Sequence, residues 1–223
     1  MTTAADLIRQ ADAVLLDFDG PVCSIFAGLS APVVAARLKQ VLVKEGAELP
    51  EDVEALDDPL KVLRRTAEIA PELVDKVETA LMGNEVEAAT CAEITPGVRE
   101  FFEACAEAGK PVGIVSNNSA PAIETFLAVA ELGEWVTAVS GRPIGVPDQM
   151  KPHPQSVLWA CKALGVEPAK AVLIGDSDFD MQAARNAGTR SIAYANEPGK
   201  ADRLTQAGAD AVTASIADLV DKQ

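Results

Sequence analysis

The stretch Ala13-Val14-Leu15-Leu16-Asp17-Phe18-Asp19-Gly20 decides how this chain is read. A short apolar run that ends in polar and turn residues reads as a buried strand. At Asp17 the polarity changes abruptly. Asp17 and Asp19 stand at i and i+2, which in extended backbone project to one side, and Gly20 permits a sharp departure. Two carboxylates this close repel, so one would retain a proton near neutral pH unless a cation compensates. Taken alone, D-x-D-G fits turn and helix-cap chemistry equally well.

Working outward, apolar runs recur at Pro111–Val115, Val136–Val139, Ala171–Ile174 and Ser191–Tyr194, with a weaker one at Ala209–Val212. Helical stretches lie between them at Gly97–Ala108, Ala120–Glu131, Pro154–Leu164 and Met181–Ala187, each closed at or near a glycine. Alternating strand and helix predicts an α/β fold, a doubly wound, Rossmann-like parallel sheet with helices on both faces. Residues 23–94 break the rhythm: Pro32–Lys44, Asp58–Ala70 and Pro71–Met82 have helical composition and no strand-like run separates them. The expected organisation is a core domain of residues 1–22 and 95–223, with a small α-helical cap domain, residues 23–94, inserted after the first strand. Where the chain returns, Thr95 is positioned to cap the next helix and Pro96 to open it.

Composition removes several classes of function. The chain has 223 residues, 48% of them hydrophobic, enough for a sizeable core that is mainly aliphatic. Nineteen Lys and Arg against 34 Asp and Glu leave a formal charge of −15, which opposes nonspecific binding to nucleic acid or an anionic membrane. Cys23, Cys91, Cys105 and Cys161 form no C-x-x-C pair, so reduced thiols are expected. The one histidine, His153, lies between prolines and reads as part of a turn, which leaves a Ser-His-Asp triad or a histidine-rich zinc site without support. There is no P-loop motif, basic leader or long apolar span, so a cytoplasmic protein, monomeric or homodimeric, is expected.

In doubly wound sheets ligands bind beyond the carboxyl ends of the strands. Here those ends deliver Asp17 and Asp19, then Ser116, Asn117 and Asn118, then Asp176, Asp178 and Asp180. Carboxylates of this kind form an all-oxygen set suited to Mg²⁺. The Ser116 hydroxyl and the Asn117 N–H can donate to an anionic oxygen; the competing use, an N-cap, falls more naturally to Ser119. Lys151, stiffened by neighbouring prolines, is a cation of the kind that neutralises phosphate.

Taken in order, Asp17-Phe18-Asp19-Gly20, Ser116, Lys151-Pro152 and Gly175-Asp176-Ser177-x-x-Asp180 resemble the four motifs of the haloacid dehalogenase-like superfamily. The helical segment looks like the cap of its phosphoglycolate-phosphatase-like members. The resemblance implies a phosphatase that requires Mg²⁺ and hydrolyses a small phosphorylated metabolite. Asp17 would be the nucleophile, giving an aspartyl-phosphate, and Asp19 the acid that protonates the leaving oxygen and later activates water. Mg²⁺ would be held by Asp17, the Asp19 carbonyl, Asp176 and Asp180, and the phosphoryl oxygens by Ser116, Asn117 and Lys151. Dehalogenases of the superfamily lack an aspartate at the position of Asp19, which favours phosphate chemistry. Pro21 departs from the usual Thr or Val. A sugar-phosphate phosphotransferase or mutase would use the same aspartyl-phosphate, and a receiver module or plain binding protein is the reading outside enzymes. Of the adjacent cap cations Arg64 and Arg65, roughly 100° apart on a helix, both cannot face the site.

Overall fold

The computed structural model describes residues 2–220. The chain opens on α1 (Ala4–Gln10), started by a capping box in which the Thr3 hydroxyl accepts the Asp6 N–H and the Asp6 carboxylate accepts the Thr3 N–H. Strand β1 (Ala13–Leu16) follows and is buried throughout. The short strand β2 (Cys23–Ser24) leads to helices α2 (Ala31–Lys44), α3 (Glu51–Glu54), α4 (Pro59–Ile69) and α5 (Val74–Ala89), and β3 (Glu93–Ile94) returns the chain. Helix and strand then alternate through α6 (Val98–Glu107), β4 (Val112–Val115), α7 (Ala120–Val129), β5 (Val136–Ser140), α8 (Gln155–Leu164), β6 (Ala171–Gly175), α9 (Asp178–Ala187), β7 (Arg190–Tyr194), α10 (Lys200–Gln206) and β8 (Ala211–Thr213).

The main sheet has six strands in the order β5-β4-β1-β6-β7-β8, and every pairing is parallel. The predicted doubly wound α/β sheet is therefore the observed one. Strand β1 lies at the centre, where the strand order reverses, so a crevice opens at its carboxyl end. Register fixes what meets there. Leu16 pairs with Ile114 on one side and Ile174 on the other, which brings the residues after β1, β4 and β6 to a common rim.

Both faces of β1 are buried, and its side chains alternate between two apolar layers. Val14 and Leu16 join Phe18, Phe102, Ile114 and Phe126; Leu15 joins Val115, Val157, Cys161 and Leu173. Phe18 packs edge-on against Phe126, ring centroids 5.4 Å apart, which fixes the backbone between the two aspartates.

The helices between β2 and β3 have an apolar cluster of their own, built on Val34, Leu38, Leu42, Leu63, Val77 and Leu81. Helix α4 begins where the Asp58 carboxylate accepts the N–H groups of Leu60 and Lys61, with Pro59 in the first turn. The stretch predicted as one helix from Pro71 starts instead as a 3₁₀ turn, Pro71–Leu73, and the α-helix that follows runs on to Ala89. Apolar spacing continues through Ala88 and Ala89, both buried, and carries the helix past Gly83 and Asn84 despite their weak helix propensity.

Both crossings between sheet and helices occur at one antiparallel ladder, with Cys23 opposite Ile94 and Ser24 opposite Glu93. Two-residue strands leave no periodic signal, so the ladder was not legible in the sequence. Thr95 corrects an expectation: it does not cap α6. Gly97 holds the N-cap position in left-handed backbone (φ 86°). A side chain there would meet the Ala217 backbone nitrogen at 2.8 Å. The Thr95 hydroxyl instead donates to the Gly20 carbonyl at 2.6 Å, tying the returning chain to the loop after β1. Among the described residues no helix is long and apolar enough to cross a membrane.

Candidate active site

A cavity of about 420 Å³ lies between the sheet rim and the helical segment, lined among others by Asp17, Asp19, Ser116, Lys151, Asp176 and Arg64. Asp17 extends β1 by one residue, its N–H donating to the Ile174 carbonyl at 2.8 Å. One of its carboxylate oxygens accepts the Phe18 N–H at 2.7 Å. The same oxygen lies 2.8 Å from Lys151 Nζ.

Lys151 is fully enclosed. Its ammonium donates to Asp180 Oδ1 at 2.6 Å and to the Val115 carbonyl at 3.1 Å. Its backbone is clasped by the Asn117 side chain, which accepts the Lys151 N–H at 2.7 Å and donates to the Lys151 carbonyl at 3.2 Å. Asp180 is likewise occupied on both oxygens, since Oδ2 accepts the Ser177 N–H and hydroxyl in the capping box that starts α9.

Ser116 leaves β4 buried, its hydroxyl accepting the Asn118 N–H at 3.1 Å and facing Asn118 Oδ1 at 3.2 Å. Ser119 does take the N-cap position of α7, although its side chain makes no cap bond. Asp176, after β6, accepts from Lys200 Nζ at 2.6 Å. Gly20 stands directly over it: φ is +114°, and a Cβ on Gly20 would lie 2.6 Å from the Asp176 carboxyl carbon. Only glycine combines that backbone with that approach.

Three of the sequence-predicted ligands therefore converge. Asp17, Asp176 and Asp180 each offer an oxygen within 4.8 Å of the others. Asp19 reaches the cavity, yet its carboxylate turns to the Ile25 N–H at 3.1 Å and stays outside that trio. Asp178 faces away, 3.7 Å from Arg203. His153 is exposed and accepts the Gln155 N–H, consistent with a turn residue.

The electrostatics are those of a buried acidic cluster with too few cations. Burial, reinforced by Asp180, pushes the Asp17 carboxyl up to about 8, against the pull of Lys151. Burial also pushes Asp19 up to about 6, opposed by the Ile25 N–H. Asp176 is raised by burial and relieved in part by Lys200. Burial acts to discharge Lys151, but Asp17 and Asp180 more than offset it, and the ammonium stays protonated. Two ammoniums, of Lys151 and Lys200, thus face the carboxylates of Asp17, Asp19, Asp176 and Asp180. A hard divalent cation with oxygen ligands would supply the missing charge, so the donor set fits Mg²⁺.

The helical segment contributes Arg64 and Lys61 to the cavity wall. Arg64 donates to the Lys151 carbonyl at 2.7 Å, its guanidinium 5.6 Å from the Phe179 ring centroid. Arg65 turns outward to Asp52 and Glu68, as helical geometry requires of its neighbour. Sequence reasoning missed Lys200, whose isolated charge after a turn gave no signal. It also missed the buried trio Glu78, Glu85 and Arg142. There a signal existed: Glu78 and Glu85, two turns apart, interrupt the apolar stripe of Val77, Leu81 and Ala88 on α5.

Among curated proteins, a plasmid-encoded phosphoglycolate phosphatase of Cupriavidus necator is 30% identical over 222 residues, covering 93% of this chain and 90% of that one. Phosphoglycolate phosphatase of Escherichia coli K12 is 32% identical over 129 residues, which cover 56% of this chain and 49% of that protein. This chain thus spans about half the length of that relative. A solved HAD family hydrolase from Deinococcus radiodurans R1, with bound phosphate and sodium, superposes with a TM-score of 0.61 at 28% identity, covering 94% of this chain and 93% of that one. The haloacid dehalogenase-like hydrolase model matches residues 11–188, and with the strand-end aspartates in their expected order the chain belongs to that family.

Proposed function

We propose that this protein is a Mg²⁺-dependent phosphatase that hydrolyses a small phosphomonoester of the phosphoglycolate type through an aspartyl-phosphate on Asp17. The observation that carries this is the pairing of Asp17 with Lys151 at 2.8 Å on the cavity wall, with Asp19 two residues on. The Asp17 carboxylate oxygen attacks phosphorus, and the bond to the leaving oxygen breaks as Asp19 delivers its proton there. Asp19 then takes a proton from the water that attacks the aspartyl-phosphate, releasing phosphate and restoring Asp17. Raised to about 6, Asp19 can hold a proton and give it up near neutrality.

Ser116, the Asn117 N–H and Lys151 bind the phosphoryl oxygens; the grip of Asn117 on the Lys151 backbone keeps the cation in place. Asp17, Asp176, Asp180 and the Asp19 carbonyl would hold Mg²⁺, which offsets phosphoryl charge when bound. Residues 23–94 serve as the cap over a core of residues 1–22 and 95–223, a division supported by the separate apolar cluster and the single β2–β3 crossing. Lys61 and Arg64, facing the aspartates across the cavity, suit a leaving group with an anion of its own, such as a carboxylate.

The deciding experiment measures phosphate release from p-nitrophenyl phosphate and phosphoglycolate with Mg²⁺, with EDTA, and with Asp17→Asn. Release that depends on metal and vanishes in the variant is expected. Equal release by Asp17→Asn would overturn the reading, and an isomerised sugar phosphate without free phosphate would move it to phosphotransfer.

A further inference from the structure

Helix α5 belongs to the helical segment, yet two of its carboxylates are sunk into the core beside the loop that follows β4. Arg142, just beyond β5, is completely buried and bridges them. Its Nε donates to Glu78 Oε1 at 2.6 Å and its Nη1 to Glu85 Oε1 at 2.8 Å. Nη1 also donates to the Asn117 carbonyl at 2.7 Å, while the Arg142 N–H donates to the Asn118 carbonyl at 2.8 Å.

The two glutamates differ in what else they hold. Glu78 accepts the Gly145 N–H at 2.8 Å and nothing from residues 116–119. Glu85 accepts the Ser119 N–H at 3.0 Å and the Asn118 side-chain amide at 3.2 Å. Asn118 in turn accepts from the Ser116 hydroxyl, so an unbroken chain of bonds runs from the helical segment to Ser116.

We infer that Glu85, clamped by Arg142, is a positioning residue through which the cap holds residues 116–119 in the shape that binds the phosphoryl group. This rests on the phosphatase reading. Buried ionic groups seldom stabilise a fold better than apolar replacements, so the trio needs another explanation, and its bonds to the loop supply one. One guanidinium cannot neutralise two carboxylates. Glu85 therefore depends on the loop's N–H donors, and the loop depends on Glu85. Withdrawing α5 would strip the Ser119 N–H and the Asn118 side-chain amide of the acceptor they share and leave Arg142 in the core without a carboxylate partner. Seating of α5 and shaping of the loop are thus a single event.

The test compares Glu85→Gln, Glu78→Gln and Asn118→Ala, reading the inhibition constant of inorganic phosphate, KM and kcat on p-nitrophenyl phosphate, and Tm. Glu85→Gln keeps shape but loses charge; it is expected to raise the phosphate inhibition constant and KM together by about tenfold. Glu78→Gln should lower Tm comparably while leaving the inhibition constant within about twofold. Asn118→Ala cuts the loop side without touching Arg142 and should weaken phosphate binding about threefold, which decides the matter if Glu85→Gln does not fold. Unchanged phosphate inhibition in the folded variants, or equal effects from Glu78→Gln and Glu85→Gln, would overturn the inference while the phosphatase reading stands. A wild-type protein that neither binds nor releases phosphate would remove both.

Discussion

Lys151 Nζ sits 2.8 Å from Asp17 Oδ1, deep in the core, although one residue ends the central strand and the other precedes α8. The pair does not neutralise the site, because the same ammonium also serves Asp180 at 2.6 Å. Asp17 is left with surplus negative charge around it.

Asp17→Asn should therefore abolish turnover and also stabilise the metal-free protein. The Asp17 carboxyl rises from 3.8 to about 8 on folding, so its contribution to stability is full below about pH 4 and is lost as pH climbs through about 8. Asn carries no such loss. At pH 8 without metal the variant should melt roughly 5 °C higher, and the gap should close below pH 4. Calorimetry across that range checks it; a variant less stable at pH 8 would contradict the charge-surplus account.

Asp19 should govern the response to leaving group. Held up at about 6 by burial, it is protonated on the acid side of that value. With Mg²⁺ bound and Asp17 ionised, the kcat/KM for an alkyl phosphate should fall on the alkaline side as the acid form of Asp19 is lost. Asp19→Asn should cost about 10³-fold with an alkyl phosphate and far less with p-nitrophenyl phosphate in the first, phosphoryl-transfer step, because nitrophenolate leaves without a proton. Rapid-quench detection of the first turnover separates that step from hydrolysis.

Arg64→Ala should discriminate between substrates. With its guanidinium at the cavity and its neighbour Arg65 engaged elsewhere, truncation should raise KM for phosphoglycolate about tenfold. For p-nitrophenyl phosphate, whose leaving group is uncharged before reaction, the change should stay within about twofold. Parallel losses on both substrates would mean that Arg64 acts through its bond to the Lys151 carbonyl instead.

Lys200 competes with metal for Asp176, at 2.6 Å from its Oδ2. Lys200→Met should lower the half-saturating Mg²⁺ concentration several-fold, by roughly 1 kcal/mol of relieved repulsion. Calorimetric titration with Mg²⁺ reads this directly, and weaker binding would assign Lys200 to orienting the carboxylate.

The strand ends were legible because parallel strands buried on both faces make apolar runs that stop abruptly, as Leu16 gives way to Asp17 and Ile174 and Gly175 to Asp176. Where the carboxylates sit along the chain was readable for the same reason, whereas Lys151, before α8 and not at a strand end, gained meaning only from its place in the ordered set of motifs. The partners of these residues were not. Asn117 fixing the Lys151 backbone, Lys200 crossing from α10 and Glu85 reaching the loop after β4 are contacts between residues far apart in sequence. No periodicity encodes such contacts. Thr95 shows the same limit, since its local context promised a helix cap and tertiary packing gave it the Gly20 carbonyl.

The β2–β3 ladder makes the helical segment, in topological terms, one long side loop whose two ends are already joined. Because closure entropy grows only with the logarithm of loop length, a sheet sealed in this way tolerates inserts of very different size at nearly constant cost. Evolution could thus exchange the whole segment as a cassette, re-tooling which molecules reach the aspartates while the strands that carry them stay untouched. Arg142 would be the exception, a cation left buried in the core that each newcomer would have to answer with an acid of its own.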